Sequence, residues 1–301
     1  MTSIIEKFIP LEKGHGVYVR IANPNGKNTP LLVCHGGPGS THNSLELLDP
    51  LSAIGDRPIY YYDQFGCGLS SFAENATAYT PDAWVKELEA IRSYFHLDSV
   101  FLLGHSWGGM LVQLYLQKFG QIGINGIVLS STLCSAKQWS EETHRLCKEL
   151  SSADQKAIAE AEATKDYSSP SFQKASEHYL KMTVSGIDFD AANIPECLAR
   201  KKKTGQQSYL YAWGASEFTP TGLLKDYDTR AFLPKVTCPC LVLYGGKDES
   251  TALQNNTMFR LIRSEKKEIH CFEGSRHMTY FEKNSEYINV VSAFLSSLDS
   301  D

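Results

Sequence analysis

Gly104-His105-Ser106-Trp107-Gly108-Gly109 is the stretch whose reading decides the fold. A G-x-S-x-G run between a strand and a helix is a nucleophile elbow, a turn tight enough to lift a serine clear of a sheet. Both flanks supply that context. Ser99-Val-Phe-Leu-Leu103 is a short apolar, partly β-branched run, the pattern of a buried strand. Residues 110–119 place apolar side chains at helical spacing. So sharp a turn forces the serine into a strained backbone conformation. It also requires glycine at 104 and 108, where any Cβ would meet the neighbouring strand and helix.

Outward from the elbow, apolar runs alternate with turn signals. Residues 16–21, 30–34 and 58–62 read as strands. Thr80-Pro81 opens a helix, with threonine as cap and proline in the first turn, and Trp84, Val85, Leu88, Ile91 and Phe95 follow at three- and four-residue steps. Residues 126–130 form another strand. Strands alternating with helices imply a parallel sheet covered on both faces. After about residue 132 the chain turns helix-rich and more polar, with helices expected over 141–163 and 170–183. Strand pattern returns at 239–244 and 268–272, and 284–298 reads as a closing helix with Tyr287, Ile288, Val291, Phe294, Leu295 and Leu298 on its apolar face. The expected organisation is an α/β core from 1–131 and 235–301 with a helical cap, 132–234, inserted into it.

Composition narrows the class. At 301 residues, 42% hydrophobic and 21% charged, the chain is that of a globular protein, and its net charge of -5 points to neither nucleic acid nor an anionic membrane as partner. No apolar run is long enough to span a bilayer and the N-terminus lacks a basic-then-apolar leader pattern, so a cytoplasmic location is expected. The eight cysteines are scattered, apart from Cys238-Pro-Cys240, and free buried thiols are expected rather than disulfides or a metal site.

A serine at an elbow needs a base and an orienting acid, and on such a scaffold the chain order is Ser, then Asp or Glu, then His. Beyond residue 235 there are two histidines. His270 lies inside a strand and reads as structural. His277 lies in the loop Gly274-Ser-Arg-His277 just past that strand, where an imidazole can reach the elbow. The acid belongs after the preceding strand, where Gly246-Lys-Asp248-Glu249 offers two carboxylates. Asp248 is assigned to His277, with Glu249 as the alternative. The developing oxyanion needs the N–H of the residue after the serine, Trp107, and a second donor from a loop after an earlier strand. His35-Gly-Gly-Pro-Gly39 supplies it, and the N–H of Gly37 is the expected donor, because Pro38 has none.

Together, His35-Gly-Gly-Pro-Gly39, Asp63-Gln-Phe-Gly-Cys-Gly-Leu-Ser70, Gly104-His-Ser-Trp-Gly-Gly109, Gly246-Lys-Asp-Glu249 and His277-Met resemble the prolyl iminopeptidases of the α/β-hydrolase superfamily. Phe65 stands where that family usually has arginine. The resemblance implies an α/β-hydrolase fold with a mostly parallel sheet and a cap. It implies cleavage of one residue, often proline, from the free N-terminus of a short peptide, with no cofactor and no metal. Within Trp213-Gly-Ala-Ser-Glu217-Phe, it implies that Glu217 binds the substrate amine, with serine at 216 where the family often has asparagine, and that Glu249 is a second amine-binding carboxylate. An amino-acid amidase, an ester or lactone hydrolase, or a ligand receptor on the same scaffold remains open on the sequence. Tyr209, Tyr211, Trp213 and Phe218 are candidates to line the pocket.

Overall fold

The computed structural model describes residues 2–11, 15–187, 193–200 and 203–299. Eight strands, β1 (Ile4–Pro10), β2 (Gly16–Ala22), β3 (Leu31–Cys34), β4 (Ile59–Tyr62), β5 (Val100–His105), β6 (Ile124–Ser130), β7 (Cys240–Gly245) and β8 (Lys267–Phe272), build one sheet. Their order across it is β1-β2-β4-β3-β5-β6-β7-β8. β1, β2 and β4 pair antiparallel, and every later neighbour pairs parallel. β1 is absent from the sequence reading because its apolar side chains Ile4, Ile5 and Phe8 are exposed and give no clean alternation.

The helices are α1 (Pro50–Ile54), α2 (Pro81–Tyr94), α3 (Trp107–Phe119), α4 (Ala136–Cys147), α5 (Ser152–Thr164), α6 (Pro170–Thr183), α7 (Glu196–Ala199), α8 (Gln206–Ala212), α9 (Ala252–Leu261), α10 (Thr279–Glu282) and α11 (Asn284–Asp299). They cover both faces of the parallel strands. Along β3, Leu32 and Cys34 pack with Trp84 and Leu88 of α2 and Leu111 of α3, while Leu31 and Val33 pack on the other face with Leu51 of α1 and Phe294 of α11. β5 and β7 alternate the same way, which is why their sequences are near-continuous apolar runs. As expected, the Thr80 hydroxyl caps α2, accepting from the N–H of Ala83 at 3.1 Å.

Between β6 and β7 the chain forms α4 to α8. The helix expected over 141–163 is in fact two. α4 ends at Cys147, and α5 begins at Ser152 with the Ser151 hydroxyl accepting from the N–H of Asp154 at 3.2 Å. Serine competes for the backbone in a helix interior and favours its first turn, so Ser151-Ser152 restarts the helix rather than continuing it. Ile158, Phe172, Tyr179 and Phe218 form an apolar cluster separate from the two that flank the sheet. The ends of the segment return to the sheet, where Trp139, Trp213, Leu224 and Tyr227 pack in the same cluster as α2 and α3.

Candidate active site

β3, β5, β7 and β8 each run, at their carboxyl ends, into residues singled out by the sequence. Ser106 sits between β5 and α3 at φ 56° and ψ -124°, a conformation that side-chain-bearing residues rarely adopt. Short hydrogen bonds hold it there. Its N–H donates to Ser130 O at 2.9 Å, and its carbonyl accepts from the N–H of Gly109 at 2.9 Å and from Thr132 Oγ1 at 2.6 Å. The flanking glycines are required by contact. A Cβ on Gly104 would lie 2.3 Å from Gly108 O, in the helix, and one on Gly108 would lie 2.1 Å from Cys34 O, on the adjacent strand.

The 35–39 loop lies against this turn. A Cβ on Gly36 would stand 3.1 Å from Ser106 Cβ, and Gly37 adopts φ +118°. Gln64 fixes the loop to the elbow helix. Its N–H donates to His35 Nε2 at 3.0 Å and its side-chain amide to His35 O at 2.9 Å, while Trp107 Nε1 donates to Gln64 Oε1 at 2.8 Å. Next to it, Phe65 occupies an apolar position rather than an ionic one. Its ring packs 5.3 Å from that of Tyr79, and its N–H donates to Glu87 Oε2 at 2.9 Å. Burial pushes the Glu87 carboxyl well above the usual carboxylate range.

His277 and Asp248 are brought together as expected. His277 Nδ1 lies 2.7 Å from Asp248 Oδ1 and 3.9 Å from Glu249 Oε1, so Asp248 is the hydrogen-bond partner. Asp248 is itself oriented, with Oδ1 accepting from the N–H of Ser250 at 2.8 Å. Ser250 Oγ in turn donates to Thr132 O at 2.6 Å, beside the elbow. Burial pulls the imidazole pKa down, but the anions of Asp248, Glu249 and Glu217 outweigh it and push it up to about 9. The other candidate, His270, points away to Glu286 of α11, with Nε2 at 3.1 Å from Oε1.

The His277 main chain is gripped from two directions. Its N–H donates to Thr183 O at the end of α6 at 3.0 Å, and its carbonyl lies 3.1 Å from His105 Nε2. The neighbouring Met278 N–H donates to Val184 O at 3.1 Å.

Glu217 comes from the loop after α8 and enters the same region. Its Oε2 accepts from the Tyr209 hydroxyl at 2.5 Å, and its main-chain carbonyl accepts from Trp139 Nε1 at 3.0 Å. Burial raises its carboxyl pKa against that hydrogen bond. Glu249 is raised well above the ordinary value, first by burial and then by the negative charge of Glu217. Its Oε2 is buried with no hydrogen-bond partner among the described residues, as is the hydroxyl of Tyr179 on α6. A buried and a half-buried carboxyl within each other's field, the buried one with an unsatisfied oxygen, form a site suited to a cation.

A family model described as the alpha/beta hydrolase fold matches residues 29–284. A proline iminopeptidase of Lactobacillus delbrueckii subsp. lactis is 41% identical over 298 residues, covering 98% of this chain and 99% of that protein. The chain belongs to the proline iminopeptidase family of α/β hydrolases. Another proline iminopeptidase, from Clostridioides difficile (strain 630), is also 41% identical over 298 residues, with 98% and 99% of the two chains covered. The crystal structure of proline iminopeptidase from Mycobacterium smegmatis matches with a TM-score of 0.83 at 27% identity, over 98% of this chain and 99% of that one.

Several site residues carry no mark in the sequence. Thr132 and Ser250 are tied to the elbow and to Asp248 only through folding, and His105 occupies a variable position of its motif. Of the aromatic candidates, Tyr209 reaches the site through Glu217, whereas Phe218 belongs to the separate apolar cluster and Trp213 to the main core.

Proposed function

We propose that the protein is a serine aminopeptidase that releases a single N-terminal residue, proline or another small apolar one, from short peptides through an acyl-enzyme. Ser106 is the nucleophile. His277 takes its proton as the hydroxyl oxygen attacks the carbonyl carbon of the N-terminal residue. Asp248 holds the ring in the tautomer with hydrogen on Nδ1 and stabilises the imidazolium. The N–H groups of Gly37 and Trp107 receive the oxyanion; one such donor is typically worth about 10²–10³ in turnover. His277 then gives its proton to the departing peptide nitrogen as the C–N bond breaks. Water, deprotonated by the same imidazole, hydrolyses the ester and regenerates Ser106.

Glu217 and Glu249 bind the substrate's terminal ammonium and so fix cleavage one residue from the end. The observation that carries this reading is the buried, unpartnered Oε2 of Glu249, which lies in the field of the half-buried Glu217 carboxyl. A cationic amine supplies the missing partner and relieves the repulsion between the two acids. The segment 132–234 acts as a cap on a core of 1–131 and 235–301 and excludes long or folded chains. No helix among the described residues is long and apolar enough to cross a membrane, and we place the enzyme in the cytoplasm.

The test compares proline and alanine chromogenic anilides with N-acetyl-proline anilide, using a serine-reactive fluorophosphonate as control. Cleavage of the free-amine substrates alone, blocked by the probe, is the expected result. Labelling with cleavage only of N-blocked esters would make the protein an esterase, and no labelling would remove the serine mechanism.

A further inference from the structure

His105 is the last residue of β5 and is bonded covalently to Ser106, yet the proposed chemistry gives it no part. It is buried, with 6% of its surface exposed, and a buried polar ring demands an explanation. The partners define its protonation. Nε2 lies 3.1 Å from the His277 carbonyl, which can only accept, so Nε2 carries a hydrogen and donates it. Burial and the nearby His277 push the His105 pKa down to about 3, so the ring is neutral and Nδ1 is bare.

One imidazole, bonded to the nucleophile, thus borders the base and the 35–39 loop as well. Its ring packs edge-on against that of His277 at 4.8 Å and that of Tyr280 at 4.9 Å. A Cβ on Gly36 would lie 3.3 Å from its Nδ1, so the ring also borders the 35–39 loop. The carbonyl it holds belongs to the residue whose N–H is held by Thr183 and whose Nδ1 faces Asp248. Of these three anchors, the His105 donor is the one rooted next to the nucleophile.

We propose that His105 is a positioning residue: its Nε2–H fixes the main chain of His277 relative to Ser106, setting the reach between base and nucleophile. The proposal rests on the reading of Ser106 and His277 as nucleophile and base. A neutral ring suits this task, because His277 becomes cationic during turnover and a second cation at ring-contact distance would oppose it. Glutamine can replace the imidazole in this role, since its side-chain N–H can reach the same acceptor. Leucine fills similar space without a donor.

The experiment compares His105→Leu and His105→Gln with wild type by steady-state kinetics on proline anilide, fluorophosphonate labelling rate and thermal melting. His105→Leu is expected to lose about ten- to hundredfold in kcat, with KM within about threefold and labelling slowed in parallel. His105→Gln is expected to stay within about threefold of wild type in all three. Wild-type activity in His105→Leu overturns the proposal, as does an equal loss in both variants, which would assign the effect to ring packing. A loss confined to KM overturns it too. Wild-type labelling by the probe, with its loss in Ser106→Ala, tests the underlying serine reading separately. Should His105→Leu fail to fold, ¹⁵N NMR of the wild-type histidines decides instead. A neutral His105 protonated at Nε2 across pH 5–9 is expected, and a charged ring or the Nδ1–H tautomer overturns the proposal.

Discussion

The N–H of His277 donates to the carbonyl of Thr183 at 3.0 Å, so the last turn of α6 is bonded directly to the residue proposed as the base. α6 is held by the separate apolar cluster, in which Phe172 is 3% exposed. Loosening that cluster therefore reaches the chemistry as well as the pocket. Phe172→Ala, a truncation that typically costs about 3–5 kcal/mol, is expected to lower kcat about tenfold or more although its side chain belongs to a cluster apart from the sheet. Steady-state kinetics on a proline anilide checks it. A rise in KM with kcat unchanged would show that α6 serves the pocket alone.

Ser106 is held at φ 56°, where glycine is at ease and serine is strained. Ser106→Gly and Ser106→Ala are both expected to abolish hydrolysis. They should differ in stability, because glycine relieves strain of about 1–3 kcal/mol while giving back part of it through its unfolded-state entropy. Denaturant melts should rank Ser106→Gly above Ser106→Ala by about 1 kcal/mol. The reverse order would mean that the turn is not strained.

The pH dependence follows from the charges around His277. The ring must be neutral to accept a proton, and neighbouring anions hold its pKa up near 9, so nucleophilic reactivity should climb with pH toward that value. Glu217→Gln removes one of those anions, which lowers the pKa and moves the rise to more acidic pH. Fluorophosphonate labelling rates measure this cleanly, because the probe has no amine to titrate. No shift, or a shift to higher pH, would separate Glu217 from the base.

Glu87 makes a prediction about stability alone. Its carboxyl stays protonated in the fold well above the ordinary glutamate range, so the unfolded state gives up its proton first as pH rises. The contribution of Glu87 is therefore most favourable below about pH 4.5 and is lost progressively above it. Glu87→Gln keeps an acceptor for the N–H of Phe65 and cannot ionise. Its melting temperature, relative to wild type, should rise between pH 4 and pH 8, and a constant difference would refute the assignment.

Much of this architecture was readable because each feature had a local cause. The elbow glycines 104 and 108 are demanded by contacts within a few residues or one strand away, and His277 and Asp248 follow strands that apolar runs announce. The antiparallel edge was not readable, since β1 exposes its apolar side chains. Neither was the break between α4 and α5, where two serines outweigh a helical pattern. Within the site, Thr132 on the Ser106 carbonyl joins segments 26 residues apart, and no spacing in one sequence records such a meeting.

The bonds from Ser130, Gly109 and Thr132 to the main chain of Ser106 act whether or not a peptide is present. The orientation of the attacking group is therefore settled once, when the chain folds, and is not searched for anew at each encounter. An arriving peptide has only its own position to find, and with Glu217 and Glu249 proposed to hold its amine, that search reduces to seating one end.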